Sequence, residues 1–375
     1  MERQHPRTGI QAELRRHSQR PRRGGGRGRS LDGVPVSLNL LAIETSCDET
    51  AAAVLSDGRA VRSSVVSSQI ALHAVHGGVV PELAARAHLE GLATVVDAAL
   101  APVPGGWDAI NAVAVTRGPG LAGCLIVGTM YASSAALARG IPIVGVSHLA
   151  GHVYSAWLAD PDLEPPYLAL LVSGGHTECV LLREHGVAER LAATRDDAAG
   201  EAFDKVARLL GLEYPGGPAI QRVAPSGDPT RFPLPRTRLD GAFSFSGLKT
   251  AVRYMVRDLG SGSLTTSGVP SDPQVVADLA ASFQVAAVDQ LVSGLAAAAD
   301  RTGATTVAVV GGVAANRALR DAVGARFSGL RVVIPPFDLC TDNASMIAAA
   351  GWQRLRLHGP DAPGFDVDPS LAECA

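Results

Sequence analysis

Between residues 38 and 59 the chain reads LNLLAIETSCDETAAAVLSDGR, two short apolar runs flanking a polar turn. Runs of this length bounded by turn residues predict strand, turn and strand, closing at the Asp57-Gly58 turn. The plan returns in LALLVSGGHTECVLLREHG, residues 168 to 186. At an offset of 128 residues Ile43 falls on Leu171, Thr45 on Ser173 and Cys47 on Gly175, so the polar turns coincide. A second pair, AVAVTRGPGLAG (112–123) and VAVVGGVAANRAL (307–319), repeats an apolar strand, a glycine-rich turn and a helix. Helical spacing predicts helices over 81–100, opened by Pro81, and over 196–210, 273–302 and 343–357. Two similar halves, each a hairpin followed by a strand-turn-helix unit, imply a duplicated α/β architecture with a cleft between its lobes. The expected boundaries are an arm over 1–36, a first lobe over 37–150, a second lobe with helical insertions over 151–358, and coil over 359–375.

The polar positions that interrupt this pattern carry the candidate chemistry. In VSHLAGHVYS (146–155), His148 and His152 stand four apart where an apolar strand, IPIVGV, gives way to a helix. Residues at i and i+4 share a helical face, so two imidazoles can meet one metal ion, and a carboxylate would complete a site with open positions. The acidic candidates are Asp48 and Glu49 in the first polar turn, Asp204 in GEAFDKVAR and Asp342 in CTDN, the last of which also reads as a simple helix cap. HLAGH lacks the glutamate of HExxH, the usual base of zinc peptidases. Glycine-rich turns at 118–120, 173–175, 215–218 and 311–313 can each be a plain turn or a place where backbone N–H groups meet phosphate. No GxxxxGK[ST] loop occurs, which excludes P-loop nucleotide binding. Lys249 in FSFSGLKTAV reads either as a required ammonium or as a solvated helix-end lysine, and His73, His76 and His88 take no assignment.

Composition narrows the class. With 47% hydrophobic and 18% charged residues the chain fits a soluble globular protein. A net charge of -3 gives no global attraction for polyanions. Five scattered cysteines without a CxxC pair argue against a disulfide framework and point to a reducing cytosol. The uncharged run 118–138 reads as a buried helix after a GPG turn and not as a membrane span. The first thirty residues hold nine arginines and the run Gly24-Gly25-Gly26 without apolar periodicity, so they read as a disordered arm. Its alternatives are an RNA contact, a transit peptide or an extended start.

Taken together, IETSCDET (43–50), GGVVPELAARAH (77–88), GPGL (118–121), HLAGH, LVSGGHT (171–177), DDAAGEAFDKVARLLGLEYPGGP (196–218), FSFSGLKTA, GGVAAN (311–316) and CTDNASMIA (340–348) closely resemble the TsaD family. The resemblance runs in order from about residue 38 to 351 and implies a duplicated fold of the actin, sugar-kinase and heat-shock-chaperone ATPase type. It implies transfer of the threonylcarbamoyl group from threonylcarbamoyl-adenylate to the exocyclic amine of the adenosine beside the anticodon, in tRNAs reading ANN codons. By the same resemblance His148, His152 and Asp342 hold iron(II) or another divalent metal, one per subunit. Leu171, Val172, Ser173, Gly174, Gly175, Asp204, Gly217 and Asn316 line the substrate cleft, and Asp48 and Glu49 are needed for activity. Expected partners are tRNA, the adenylate, a TsaB-type paralogue and a TsaE-type ATPase, in the cytoplasm and away from membranes. The chain departs from the family in having His76 where a tyrosine is usual. It has Leu171, as bacterial-type members do, where archaeal and eukaryotic relatives carry a tyrosine ligand, and its arginine-rich arm has no family counterpart. Rival readings are a metallopeptidase, weakened by the missing HExxH glutamate, and a nucleotide-switched binding module.

Overall fold

A computed structural model of the protein describes residues 38–236 and 242–374; the arginine-rich arm lies outside the described residues. The first half runs β1 (Asn39–Glu44), β2 (Glu49–Ser56), β3 (Ala60–Ser68), α1 (Ile70–Ala74), α2 (Pro81–Leu100), β4 (Ala112–Gly118), α3 (Ala122–Arg139), β5 (Ile143–Ser147) and α4 (His148–Ala159). The second runs β6 (Tyr167–Val172), β7 (Thr177–Glu184), β8 (Val187–Thr194), α5 (Ala199–Leu209), α6 (Gly216–Val223), β9 (Ala242–Phe243), α7 (Ser246–Asp258) and α8 (Pro273–Thr302). It continues through β10 (Thr306–Val310), α9 (Arg317–Arg326), β11 (Arg331–Val333), α10 (Phe337–Cys340) and α11 (Ala344–His358).

Both sheets share one winding. The first has the order β3-β2-β1-β4-β5, and the second β11-β10-β6-β7-β8-β9, which read backwards is the same plan with β9 added at the edge. In each half a hairpin (β1 with β2, β6 with β7) is antiparallel, and the next strand (β4 or β10) lies parallel to the first. The duplication expected from the 128-residue offset is therefore present in the topology.

Strand alternation distributes the core. Leu41 and Ile43 of β1 pack beneath α2 and α3 with Val95, Val96 and Ala132, whereas Leu40 and Ala42 face Tyr154, Leu171, Val310 and Met346 in a central layer. From β6, Leu171 enters that layer while Leu170 and Val172 face Phe203, Phe283 and Leu291 on the far side. Buried on both faces, these central strands need the continuous apolar runs seen in the sequence. Helix α8 is long and apolar enough to span a membrane by length and composition, with mean hydropathy 1.4, but 78% of that window is buried inside the protein as a core helix. Asp272 caps its start, accepting from the Gln274 amide at 2.8 Å, and Gly303 ends it in the left-handed conformation.

Two sequence readings are refined. The uncharged run 118–138 forms α3 but is buried on one face only, leaving Ile126, Met130 and Leu137 exposed. The segment after α11 has no regular helix or strand, yet it is tied to the first lobe. Asp361 takes the Gly145 amide at 2.8 Å, the Asp368 amide donates to the Arg117 carbonyl at 2.8 Å, and the Ser147 hydroxyl donates to the Glu373 carbonyl. Those contacts brace the helix that carries the histidines.

Candidate metal centre and the cleft around it

Strand β5 ends at Ser147, whose hydroxyl accepts from the Ala150 amide and so starts α4 with His148 at its first position. One turn on, His152 meets the same space, the two rings standing edge to face with centroids 4.7 Å apart. From the other half, Asn343 caps α11 by accepting from the Met346 amide at 3.0 Å, which fixes Asp342 just ahead of the helix. Helices α4 and α11 can approach this closely because Gly151 sits between them: a Cβ there would stand 2.7 Å from Ile347 Cδ1. The result brings Oδ1 of Asp342 to 3.6 Å from His148 Nε2 and 3.2 Å from His152 Nε2.

These donors fit a metal ion. Among the described residues, His148, His152 and Asp342 offer three ligand atoms within 4.8 Å of one another. His152 is fully buried, its Nδ1 has no hydrogen-bond partner and its Nε2 meets only the Asp342 carboxylate at 3.2 Å among the described side chains, an under-satisfied state that an ion between them would relieve. His148 is oriented from behind. Its Nδ1 lies 3.1 Å from Glu44 Oε2 and 3.2 Å from the Ser46 hydroxyl, which leaves Nε2 for a metal. Glu44, at the buried end of β1, also accepts from the Ser46 amide at 2.5 Å and the Thr116 hydroxyl at 2.6 Å. Burial disfavours its charge, but the His148 imidazole and the Ser46 hydrogen bond outweigh that and hold its carboxyl below the usual range. For His148, burial is likewise outweighed by Asp342 and Glu44, and its pKa rises to about 9. For His152 burial prevails and the pKa is lowered. A carboxylate holding the far nitrogen of a ligating imidazole fixes its tautomer and orientation. Glu44 went unassigned in the sequence, where its one signal was a carboxylate at the end of an apolar strand.

The ligand set opens on a cavity of about 770 Å³ between the lobes, a size suited to a small-molecule ligand. Asp48 and Glu49 line one wall and Ser173, Gly174, Gly175 and Asp204 another, so these expected site residues come together with His148 and Asp342. Burial, then Asp342 and Asp48, push the Glu49 carboxyl up to about 10. The turn holding the two acids is fastened from behind: His88 Nε2 donates to the Cys47 carbonyl at 2.9 Å and its Nδ1 lies 2.7 Å from the Thr50 hydroxyl. His73 joins the same buried network through Gln69, at 3.2 Å, whereas His76 is exposed. Opposite, the Ser173 amide donates to the His176 carbonyl at 2.8 Å and the His176 amide to the Ser173 hydroxyl at 3.1 Å, closing the SGG turn. Gly311, at φ 92°, lets the next turn pass under that strand, where a side chain would strike the Val172 carbonyl at 2.4 Å.

Other expected site residues stand apart from the lining. Leu171 and Val172 are fully buried in β6 and give the cavity no surface. Asn316 caps α9 and donates to Gln284 Oε1 at 3.0 Å, while the neighbouring Gly312 reaches the cavity. Gly217 is the second residue of α6, beside the lining Pro215, and Asp204 anchors that helix by accepting the Gly216 amide at 2.7 Å. The lining also includes His176, Lys205, Arg208 and Tyr214, which sequence reasoning missed although all four lie inside or beside quoted motifs. Lys249 is no free helix-end lysine: it and Lys205, the chain's two lysines, both bind Asp197, at 2.7 and 2.8 Å.

Two sheets of one winding facing across a cleft, with a two-histidine, one-carboxylate set on its wall that could hold a metal ion, define a protein of duplicated actin-like ATPase architecture. The fold is shared with T. kodakarensis HypF at a TM-score of 0.58 and 14% identity, over 87% of this chain and 50% of that one. The sequence pattern of the TsaD family, described as tRNA N6-adenosine threonylcarbamoyltransferase, matches residues 60–349. The chain is 53% identical over 331 residues to the protein of that name from Synechococcus sp. (strain JA-3-3Ab), covering 84% of this chain and 88% of the relative. It is 51% identical over 337 residues to the one from Anaeromyxobacter dehalogenans (strain 2CP-1 / ATCC BAA-258), covering 88% and 98%. The chain belongs to the TsaD family.

Proposed function

We propose that this chain transfers the threonylcarbamoyl group from threonylcarbamoyl-adenylate to the N6 amine of the adenosine beside the anticodon, in tRNAs reading ANN codons. The observation that carries the reading is one cavity shared by the histidine-aspartate set, the acidic turn and the SGG turn. In the reaction N6 attacks the carbamoyl carbonyl carbon, the bond from that carbon to the adenylate phosphate oxygen breaks, AMP leaves with the electron pair, and N6 loses a proton. The acyl group arrives activated, so the protein's work is to orient the amine, receive charge on oxygen and take the proton.

His148, His152 and Asp342 would hold iron(II) or another divalent ion, one per subunit. Such an ion supplies positive charge for phosphate or carbonyl oxygen. The backbone amides of the SGG turn and the helix α5 region around Asp204 would seat the rest of the adenylate. In the acidic turn Asp48 and Glu49 both line the cavity, and one of these two carboxylates takes the amine proton. The chain works in the cytoplasm with a TsaB-type paralogue and a TsaE-type ATPase, while a separate synthase makes the adenylate.

The full chain is incubated with unmodified tRNA, threonine, bicarbonate, ATP and those partners, and the digested nucleosides are weighed. Threonylcarbamoyladenosine is expected. Its absence from a metal-replete preparation would sink the transfer reading, and cleavage of a glycoprotein by the same preparation would favour the peptidase.

A further inference from the structure

The first 37 residues hold nine arginines against Glu2, Glu13 and Asp32, so residues 38–375 carry 24 basic and 33 acidic side chains, a net charge of -9. A polyanion needs a local basic face on such a body. One leads out of the cavity. Lys205 and Arg208 line the cavity on α5, and Lys205 shares Asp197 with Lys249, which places the two ammonium groups side by side across the α5–α7 contact. From Lys249, Arg253 and Arg257 follow at i+4 and i+8 along one face of α7, about 12 Å of helix. Arg253 is exposed, and Arg257 lies over the ring of Tyr254, 4.8 Å from its centroid, with that tyrosine 51% exposed. Asp197, Glu201 and Asp258 occupy Lys205, Lys249 and Arg257, whereas Arg208 and Arg253 have no ion-pair partner among the described residues.

We propose that this α5–α7 ridge is where the sugar-phosphate backbone of the tRNA docks, so that the target adenosine reaches the cavity from the Lys205–Arg208 end. The inference rests on the tRNA reading above. Three features support it: the ridge is continuous with the cavity, it holds Arg253, which makes no ion pair among the described residues, on an acidic body, and it pairs an exposed aromatic ring with arginine, the combination that single-stranded RNA favours.

The test uses the full chain, whose arm is then common to all variants. Equilibrium binding of unmodified tRNA is measured across salt concentrations for wild type, Arg253→Glu, Arg253→Lys and Arg356→Glu, the last an exposed arginine on α11. Arg253→Glu should weaken binding about tenfold and lower the slope of log affinity against log salt by about one, the signature of a lost phosphate contact. Arg253→Lys should keep the wild-type slope and Arg356→Glu should bind as wild type. Equal affinity and slope for Arg253→Glu, or an equal loss in Arg356→Glu, overturns the docking face. If wild type binds and modifies tRNA and Arg253→Glu does both equally well, the ridge falls and the transferase reading stands. Wild type that neither binds nor modifies tRNA removes both.

Discussion

The two polar turns occupy one position in a duplicated frame and have opposite chemistry. At the 128-residue offset Glu44 coincides with Val172, and both are fully buried at the end of the strand that starts a hairpin. In the first half that position holds a carboxylate tied to Ser46, Thr116 and His148. In the second it holds an apolar side chain packed with Phe203 and Phe283. The turns differ as well: Glu44 pairs with Ala51 across six intervening residues, Val172 with Thr177 across four. The longer turn presents Asp48 and Glu49, and the shorter presents bare backbone at Gly174 and Gly175. The first turn thus supplies two carboxyls, and the second a glycine backbone cradle closed by His176. The three residues that could hold a metal come from both halves, two from α4 and one from just before α11.

The sharpest break of that asymmetry removes the imidazoles. His148→Ala combined with His152→Ala should reduce bound metal to background by elemental analysis and abolish transfer, while far-ultraviolet circular dichroism keeps its helical signal. Metal retained at the wild-type ratio would mean that the ion sits elsewhere. A smaller effect follows from making the first half resemble the second. Measured above pH 9, where protons no longer compete at His148, Glu44→Val should weaken metal affinity about 10- to 100-fold in competition with a chromogenic chelator, because His148 loses the partner that fixes its ring. Glu44→Gln, which can still accept from Thr116, should lose less. Wild-type affinity in both variants would show that the ring is held by packing alone.

Much of this frame is legible in the sequence. Apolar runs and turn residues located both hairpins, and Pro81–Leu100 and Pro273–Thr302 form helices over the predicted ranges because proline at the first turn and helical periodicity agree there. The i, i+4 spacing of His148 and His152 was readable, as was Asp342 once a resemblance supplied it. Glu44 was not, because a carboxylate at the end of an apolar strand looks like the beginning of a turn until Thr116 and His148, 72 and 104 residues away, are folded against it. The lysines were hidden in the same way: rarity marked Lys249, but only α5 packing on α7 shows that it shares Asp197 with Lys205. Contacts between elements far apart in sequence leave no periodicity to read.

Two imidazoles in the cleft sharpen the comparison further through pH. His148 of the first half is driven up to about 9, Asp342 and Glu44 overcoming its burial, while His176 of the second half is driven down to about 4 by burial together with His148 and His152. A ligating imidazole must give up the proton on its metal-facing nitrogen, so a raised pKa means that protons compete with metal below about 9. Apparent metal affinity should therefore rise about tenfold per pH unit from 6 to 9 and level off above, a slope of one proton. His176 is already neutral throughout that range and adds nothing, and the lowered pKa of His152 adds no second proton near neutrality. Glu44→Gln removes one of the two charges that raise His148, so its break should move to lower pH. Chelator competition run across the series reads both. A slope of two protons, or a break that stays fixed in Glu44→Gln, would show that the buried carboxylate does not set the proton affinity of the metal-facing histidine.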